Sequence, residues 1–222
     1  MPLISFLVGV ALLVLAWLGP LPDLSRHSFS AHMTLHISLV ALVAPLLAWG
    51  VARSRFDPVR LMPALFAPIP ASIVELMVVW GWHAPILHHA ARMGEGAFLL
   101  EQASFLGAGL LLWLACIART PTAENWRPAA GVGALLFTSI HMTLLGALFA
   151  LTPRPLYAHG PEELFGLSQL ADQQLGGAIM LLVGGASYLI GGLWLTASVL
   201  RERLLWQRGH EHAPHHADTR RP

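Results

Sequence analysis

Six long apolar runs constrain the fold of this chain of 222 residues more than any other feature. An α-helix needs about 20 apolar residues to cross the hydrocarbon core of a bilayer. The runs cover residues 3–18, 31–52, 61–82, 97–117, 129–151 and 172–200. Only 11% of the residues are charged, whereas soluble domains have about 25%. The sequence therefore predicts an all-α, polytopic membrane bundle of about six transmembrane helices.

Two regions follow from this pattern. Residues 1–200 are predicted to form the bundle, with a bend at Pro45 and an irregular inner half of the third run, which contains Pro63, Pro68 and Pro70. Residues 201–222 are polar and histidine-rich, and such a composition predicts a disordered tail.

The arginines predict the orientation, because the chain has no lysine. Ten arginines lie in the loops after the second and fourth runs and in the tail, against three in the alternate loops. Cytoplasmic loops carry the excess of positive charge. Both termini are therefore predicted to be cytoplasmic.

This orientation collects most of the ionisable side chains at or toward the outer side of the membrane. They are His32, His36, His83, His88, His89, His141, His159, Glu75, Glu101 and Asp172. Ionisable groups within a membrane are costly to place and usually mark a functional site.

His32 and His36 lie four residues apart at the outer start of the second run, so both project from one helix face. Met33 is close enough in sequence to point the same way. Imidazole and thioether together suit copper, particularly Cu(I). A zinc protease is disfavoured because its motif has Glu directly after the first His, where this chain has Met33. The alternative is that the histidines only cap a helix at the interface.

The other histidines of the apolar runs and their loops have different predicted roles. His83 follows two tryptophans of an interfacial belt and is expected to join His36, whereas His88 and His89 are predicted to lie in a solvated loop. His141, near the centre of the fifth run, is either a buried neutral histidine or a ligand of a metal or haem.

The acidic side chains need partners, because a charged carboxylate cannot face lipid. Glu75 and Glu101 are expected to be protonated or to pair with a cation, a histidine or a metal. Asp172 is either a metal ligand or the N-cap of its own helix. Supporting positions are predicted at Gln102, Gln173 and Met180. In the sixth run, Gly177, Gly184 and Gly191 predict close helix packing.

Several motifs carry a family resemblance. They are His-Met-Thr-Leu-His at 32–36, Trp-His-Ala-Pro at 82–85, the helix from Glu101 to Trp113, Leu-Leu-Gly-Ala-Leu-Phe at 144–149, Arg-Pro-Leu-Tyr at 154–157 and Leu-Ala-Asp-Gln-Gln-Leu-Gly-Gly at 170–177. Over about residues 29–200 the chain resembles the caa3-type cytochrome c oxidase assembly factor family (CtaG). Leu35 and Gln102 stand where many members have Gln and His, and many members have seven spans.

The resemblance implies a non-enzymatic assembly factor in the bacterial cytoplasmic (inner) membrane. It would act at or before copper insertion, with the catalytic subunit of a haem–copper oxidase as partner and periplasmic copper chaperones as a copper source. Copper is thus the expected metal, with His32, Met33, His36, His83, His141 and Asp172 as candidate ligands.

Two other functions remain open. A membrane haem protein for electron transfer would use His36 with His83 or His141 as axial ligands. A proton-coupled transporter would use Glu75, Glu101 and Asp172 as a relay. Nothing in the sequence resembles a nucleic-acid-binding surface, and its formal net charge is only +1.

Overall fold

The computed structural model describes residues 2–52, 54–117, 126–157 and 166–211. These residues form helices and no strand, which confirms the predicted all-α class. His159 and residues 212–222 of the tail lie outside the described residues.

The described parts of the chain contain α-helices and two π-helical segments in sequence. They are α1 (Pro2–Leu18), α2 (Leu21–His27), α3 (Phe29–Ile37), π1 (Ser38–Val43), α4 (Ala44–Val51), α5 (Pro58–Leu61), α6 (Pro68–Trp82), α7 (Pro85–Met93), α8 (Glu95–Ile117), α9 (Arg127–Leu151), α10 (Gln169–Ile179), π2 (Met180–Gly185) and α11 (Ala186–Glu211). The α9 helix packs against α6, α10 and α11, and α8 packs against α4, α6 and α7.

Four helical stretches among the described residues are long and apolar enough to cross a membrane. They are Phe29–Val51, Glu95–Ile117, Arg127–Leu151 and Gln169–Leu205. Two further stretches are bent pairs, α1 with α2 at 48° and α6 with α7 at 72°. The six predicted spans are reached when each bent pair counts as one.

The second span changes its winding just ahead of Pro45, where a bend was predicted. Proline has no N–H, so the carbonyl of Ala41, four residues earlier, loses its α-helical partner. The hydroxyl of Ser187, on α11, donates to that carbonyl at 2.8 Å. The π1 segment therefore stays within the span because a neighbouring helix supplies the missing donor.

In the same π1 segment a second carbonyl, that of Val40, has no backbone N–H four residues later as its hydrogen-bond donor. The Ala44 N–H donates to Leu39, five residues back, and so does not reach Val40. Trp113 Nε1 and the Tyr188 hydroxyl lie 3.1 and 3.2 Å from the Val40 oxygen. These hydrogen bonds connect α8 and α11 to π1.

The third span begins later than residue 61. A proline disfavours helical backbone at the residue before it, and Ala67, which precedes Pro68, is extended. The helix α6 starts at Pro68, and α5 remains a separate turn of helix. The run is therefore irregular before Pro68, as predicted, whereas Pro70 lies within the regular helix α6.

The glycines allow close helix contacts, as predicted. A Cβ atom on Gly177 would lie 2.4 Å from the Ala150 nitrogen and 2.7 Å from the Gly146 oxygen. The helices α10 and α9 therefore touch through their backbones. Gly191 similarly admits the Trp113 ring, which a Cβ would approach to 2.6 Å.

The last helix extends beyond residue 200, where the bundle was predicted to end. Its backbone continues to Glu211. The segment after residue 200 contains Arg, Glu and Leu, which are good helix formers. The first part of the predicted tail is therefore helical.

Candidate metal centre

His32 and His36 lie one turn apart on α3 and point into the protein. Their side chains are buried, and their Nε2 atoms are 2.7 Å apart. The ring centroids are separated by 4.0 Å with the planes nearly perpendicular. The sequence predicted this shared face, and the structure shows that it faces protein rather than lipid.

Glu101 of α8 completes a group of three. Its Oε1 atom lies 3.5 Å from His32 Nε2 and 3.8 Å from His36 Nε2. The three atoms belong to the one group of metal-ligand type found among the described residues. The expectation that Glu101 needs a histidine, a cation or a metal as partner is met by these two imidazoles.

Gln102 orients the Glu101 carboxylate. Its Nε2 donates to Glu101 Oε2 at 3.0 Å. Glu101 Oε1 is buried and accepts no hydrogen bond from any described residue. A buried polar atom without a partner requires an explanation, and a shared proton or a cation between Oε1 and the imidazoles would provide one.

His83 stands next to this group, where α6 ends. Its ring centroid lies 5.6 Å from that of His36. The His83 Nδ1 atom lies 2.5 Å from the Val79 carbonyl oxygen, so Nδ1 carries the proton and Nε2 keeps its lone pair. His83 Nε2 is buried without a hydrogen-bond partner among the described residues.

His88 lies beside these residues, and its predicted place in a solvated loop is wrong. We call His32, His36, His83 and His88 the histidine cluster. His88 is 2% exposed, and its ring lies 4.8 Å from that of His32 and 4.2 Å from that of Tyr157. The bend after α6 turns α7 back over the bundle, and a helix directs adjacent residues to different faces. His89 is exposed. The residue pattern of α7 does not separate the two, because the apolar Ile86 and Leu87 are exposed while His88 is buried.

Aromatic rings enclose the four histidines. The Phe105 ring lies 4.1 Å from that of His36, and the Phe149 ring lies 5.6 Å from that of His83. The Tyr157 hydroxyl donates to the His83 carbonyl at 2.6 Å. This enclosure lowers the local dielectric and strengthens interactions between charges inside it.

Asp172 acts on the histidine helix from outside this group. Its Oδ2 accepts from the Phe29 N–H at 2.6 Å, and its Oδ1 accepts from the Ser28 hydroxyl at 2.8 Å and the Ser30 N–H at 3.2 Å. Its own helix is capped by Ser168 instead. Asp172 therefore supplies a negative charge at the N-terminus of α3, where the helix dipole favours it.

The supporting candidates Gln173 and Met180 lie on α10 and at the start of π2, and the candidate ligand Met33 contacts α10. Gln173 Oε1 accepts from the Leu156 N–H at 2.7 Å, which fastens the segment after α9. Met33 packs against α10, since its Cγ would lie 3.0 Å from a Cβ built on Gly176. Met180 is buried at the start of π2.

His141 and Glu75 are not among the groups that converge on Glu101. His141 is buried on α9 with its ring 5.6 Å from that of Phe137. Glu75 is fully buried and forms a hydrogen bond with the Tyr188 hydroxyl. The structure thus separates two positions that the sequence placed near one site.

The comparisons with known proteins give one match. The family model described as cytochrome c oxidase caa3 assembly factor (Caa3_CtaG) matches residues 2–202. No curated protein and no solved structure matches the chain. The match includes the centre formed by His32, His36 and Glu101 and ends within the last membrane-spanning stretch, Gln169–Leu205. The chain belongs to the cytochrome c oxidase caa3 assembly factor family.

Proposed function

We propose that this membrane assembly factor binds copper at His32, His36 and Glu101 and passes it to the catalytic subunit of a haem–copper oxidase. The observation that carries the proposal is the convergence of two imidazole nitrogens and one carboxylate oxygen within 4.8 Å of one another in a buried place. Copper is the cargo in this account.

The spacing of these atoms suits a metal ion. Ligands about 2.0–2.2 Å from one tetrahedral ion lie roughly 3.3 Å from each other. The observed separations are 2.7, 3.5 and 3.8 Å, so small side-chain movements would bring all three into range. Imidazole nitrogen is among the ligands that suit copper. Membership of an oxidase assembly family favours copper further.

His83 offers a next ligand for transfer. Its unprotonated Nε2 is buried without a hydrogen-bond partner among the described residues, and its ring lies 5.6 Å from that of His36. We expect copper to be exchanged from the His32–His36–Glu101 centre onto His83 before it leaves the protein. This transfer of copper occurs by exchange of ligands, and the oxidation state of the copper does not change.

The arginine distribution supports an outer position for this centre. With both termini in the cytoplasm, the start of α3, the end of α6 and the start of α8 lie toward the outside. Copper would then arrive from the periplasm, delivered by periplasmic copper chaperones, and meet the oxidase subunit in the bacterial cytoplasmic membrane.

The packing does not favour the two alternatives. A haem between His36 and His83 would have to displace Phe105, which contacts both rings. A carboxylate relay through Asp172 is disfavoured because both of its oxygens already accept hydrogen bonds from the start of α3.

The test is oxidase maturation in a strain that lacks this protein. We would express the wild type, His36→Ala and, as a control, His89→Ala, whose side chain is exposed. Membrane immunoblots, oxidase activity and the copper content of the purified oxidase would be measured at limiting and at excess copper.

We expect His36→Ala to accumulate in the membrane while the oxidase lacks copper, and His89→Ala to match the wild type. Full oxidase activity with His36→Ala at limiting copper would contradict the proposal.

A further inference from the structure

A second buried polar cluster lies deeper in the bundle and is centred on Glu75. Glu75 precedes His83 by eight residues on α6, which places it about 12 Å farther along the helix axis. Its side chain is 0% exposed, and its Oε2 atom has no hydrogen-bond partner among the described residues. Its Oε1 atom is hydrogen-bonded to the Tyr188 hydroxyl.

No cationic side chain among the described residues pairs with this carboxyl group. None of the ion pairs that the described residues form includes Glu75. The titratable side chains that face it are Tyr188 from α11 and Cys116 from α8, and Thr138 lies beside it from α9. An ionised carboxylate without a partner is very costly in such a place, so the carboxyl group at rest holds a proton.

Tyr188 connects this proton to the helix that carries the metal centre. Its hydroxyl lies 3.2 Å from the carbonyl oxygen of Val40, which π1 has freed and which lies one turn after His36. A phenol has one proton to donate. When Glu75 is protonated it can donate to the Tyr188 oxygen, and Tyr188 can then donate to Val40. When Glu75 is ionised, Tyr188 donates to Glu75 and Val40 loses this donor.

We propose that Glu75 is a proton-binding site coupled to copper occupancy of the outer centre. This inference rests on the proposed function. Copper bound at the centre favours the ionised form of Glu75, which releases its proton to water, and copper release is accompanied by uptake of one proton. Coupling of this kind is reciprocal, so a proton on Glu75 also weakens copper binding.

The expected size follows from the separation. A unit positive charge at the level of His83, about 12 Å from Glu75 along the helix axis, changes the proton affinity of Glu75 roughly tenfold at an effective dielectric constant of 20. π-helical segments frequently occur at functional sites, and here π1 lies between the two groups. The hydrogen bond through Tyr188 adds to the direct effect of charge.

Infrared spectroscopy of the full-length protein in nanodiscs tests the proposal. The carbonyl band of protonated carboxyl groups would be followed during pH titration, with and without one equivalent of Cu(I) under anaerobic conditions. The variants are Glu75→Gln, Tyr188→Phe and, as a matched control, Glu95→Gln, whose side chain is exposed.

We expect a buried carboxyl band that disappears in Glu75→Gln, persists in Glu95→Gln and moves to higher frequency in Tyr188→Phe. The pH at which half of this band is lost should fall by about one unit when copper is bound. An unchanged midpoint in protein that binds copper would overturn the coupling and leave the outer centre intact. A wild type that binds no copper would overturn both proposals.

Discussion

The carboxylate of Asp172 accepts a hydrogen bond from the backbone N–H of Phe29 at 2.6 Å across 143 residues of sequence. This contact joins the start of α10 to the start of α3. A carboxylate at a helix N-terminus contributes up to about 2 kcal/mol in a partly buried geometry. Asp172 thus determines where His32 and His36 stand, although it lies outside the group around Glu101.

Replacement of Asp172 by Asn is expected to weaken this arrangement without removing a ligand. The amide keeps one acceptor oxygen but loses the charge, so the free energy of unfolding should fall by about 1–3 kcal/mol. Copper affinity should drop several-fold while stoichiometry stays the same. Thermal unfolding in detergent and Cu(I) titration would be compared with Asp23→Asn, an exposed control. Loss of copper stoichiometry would show that Asp172 is a ligand after all.

His88 and His89 provide a matched pair of adjacent histidines. Replacement of His88 by Ala removes a buried ring that contacts His32 and Tyr157, and should cost about 1–3 kcal/mol of stability. His89→Ala changes an exposed side chain and should stay within about 0.5 kcal/mol of the wild type. Thermal unfolding of both variants in the same detergent measures the difference. Equal stability would mean that α7 does not pack onto the histidine cluster.

The contact between the backbones of α9 and α10 can be tested by adding a single Cβ atom at Gly177. A Cβ on Gly177 would lie 2.4 Å from the Ala150 nitrogen, and because backbone atoms cannot move aside cheaply, Gly177→Ala should destabilise the protein by about 1–3 kcal/mol or more. Nothing lies within 4 Å of a Cβ on Gly133, so Gly133→Ala should be neutral or stabilise by up to about 1 kcal/mol. The abundance of each variant in membranes and its unfolding temperature are the measurements. Normal abundance and stability of Gly177→Ala would contradict the backbone contact.

Features within one helix could be predicted from sequence, because helical periodicity determines which residues share a face. The pairing of His32 with His36 and the irregular start of α6 both follow from local rules. The close contact at Gly177 followed from the small-residue pattern in the same way.

Features that depend on packing between helices could not be predicted so readily. The approach of Glu101 to the histidine pair depends on how α8 packs against π1 and α4, which continue the span from α3. The prediction for His88 was wrong because residues 85–93 form a helix, α7, instead of a loop. The 72° bend between α6 and α7 lays this helix over the histidine cluster. The hydrogen bonds of Asp172 reach a different helix, and no local capping rule identifies them.

Anaerobic titration of the purified protein with Cu(I), against a competing chelator, measures directly whether copper binds at His32, His36 and Glu101. The proteins are the wild type, the double variant His32→Ala/His36→Ala, and His89→Ala as a control. Cu(I) should bind the wild type and His89→Ala tightly, with one ion in the buried centre, and the double variant should lose that site because two of its three converging ligand atoms are gone. Equal binding by the wild type and the double variant would show that copper does not bind at His32, His36 and Glu101.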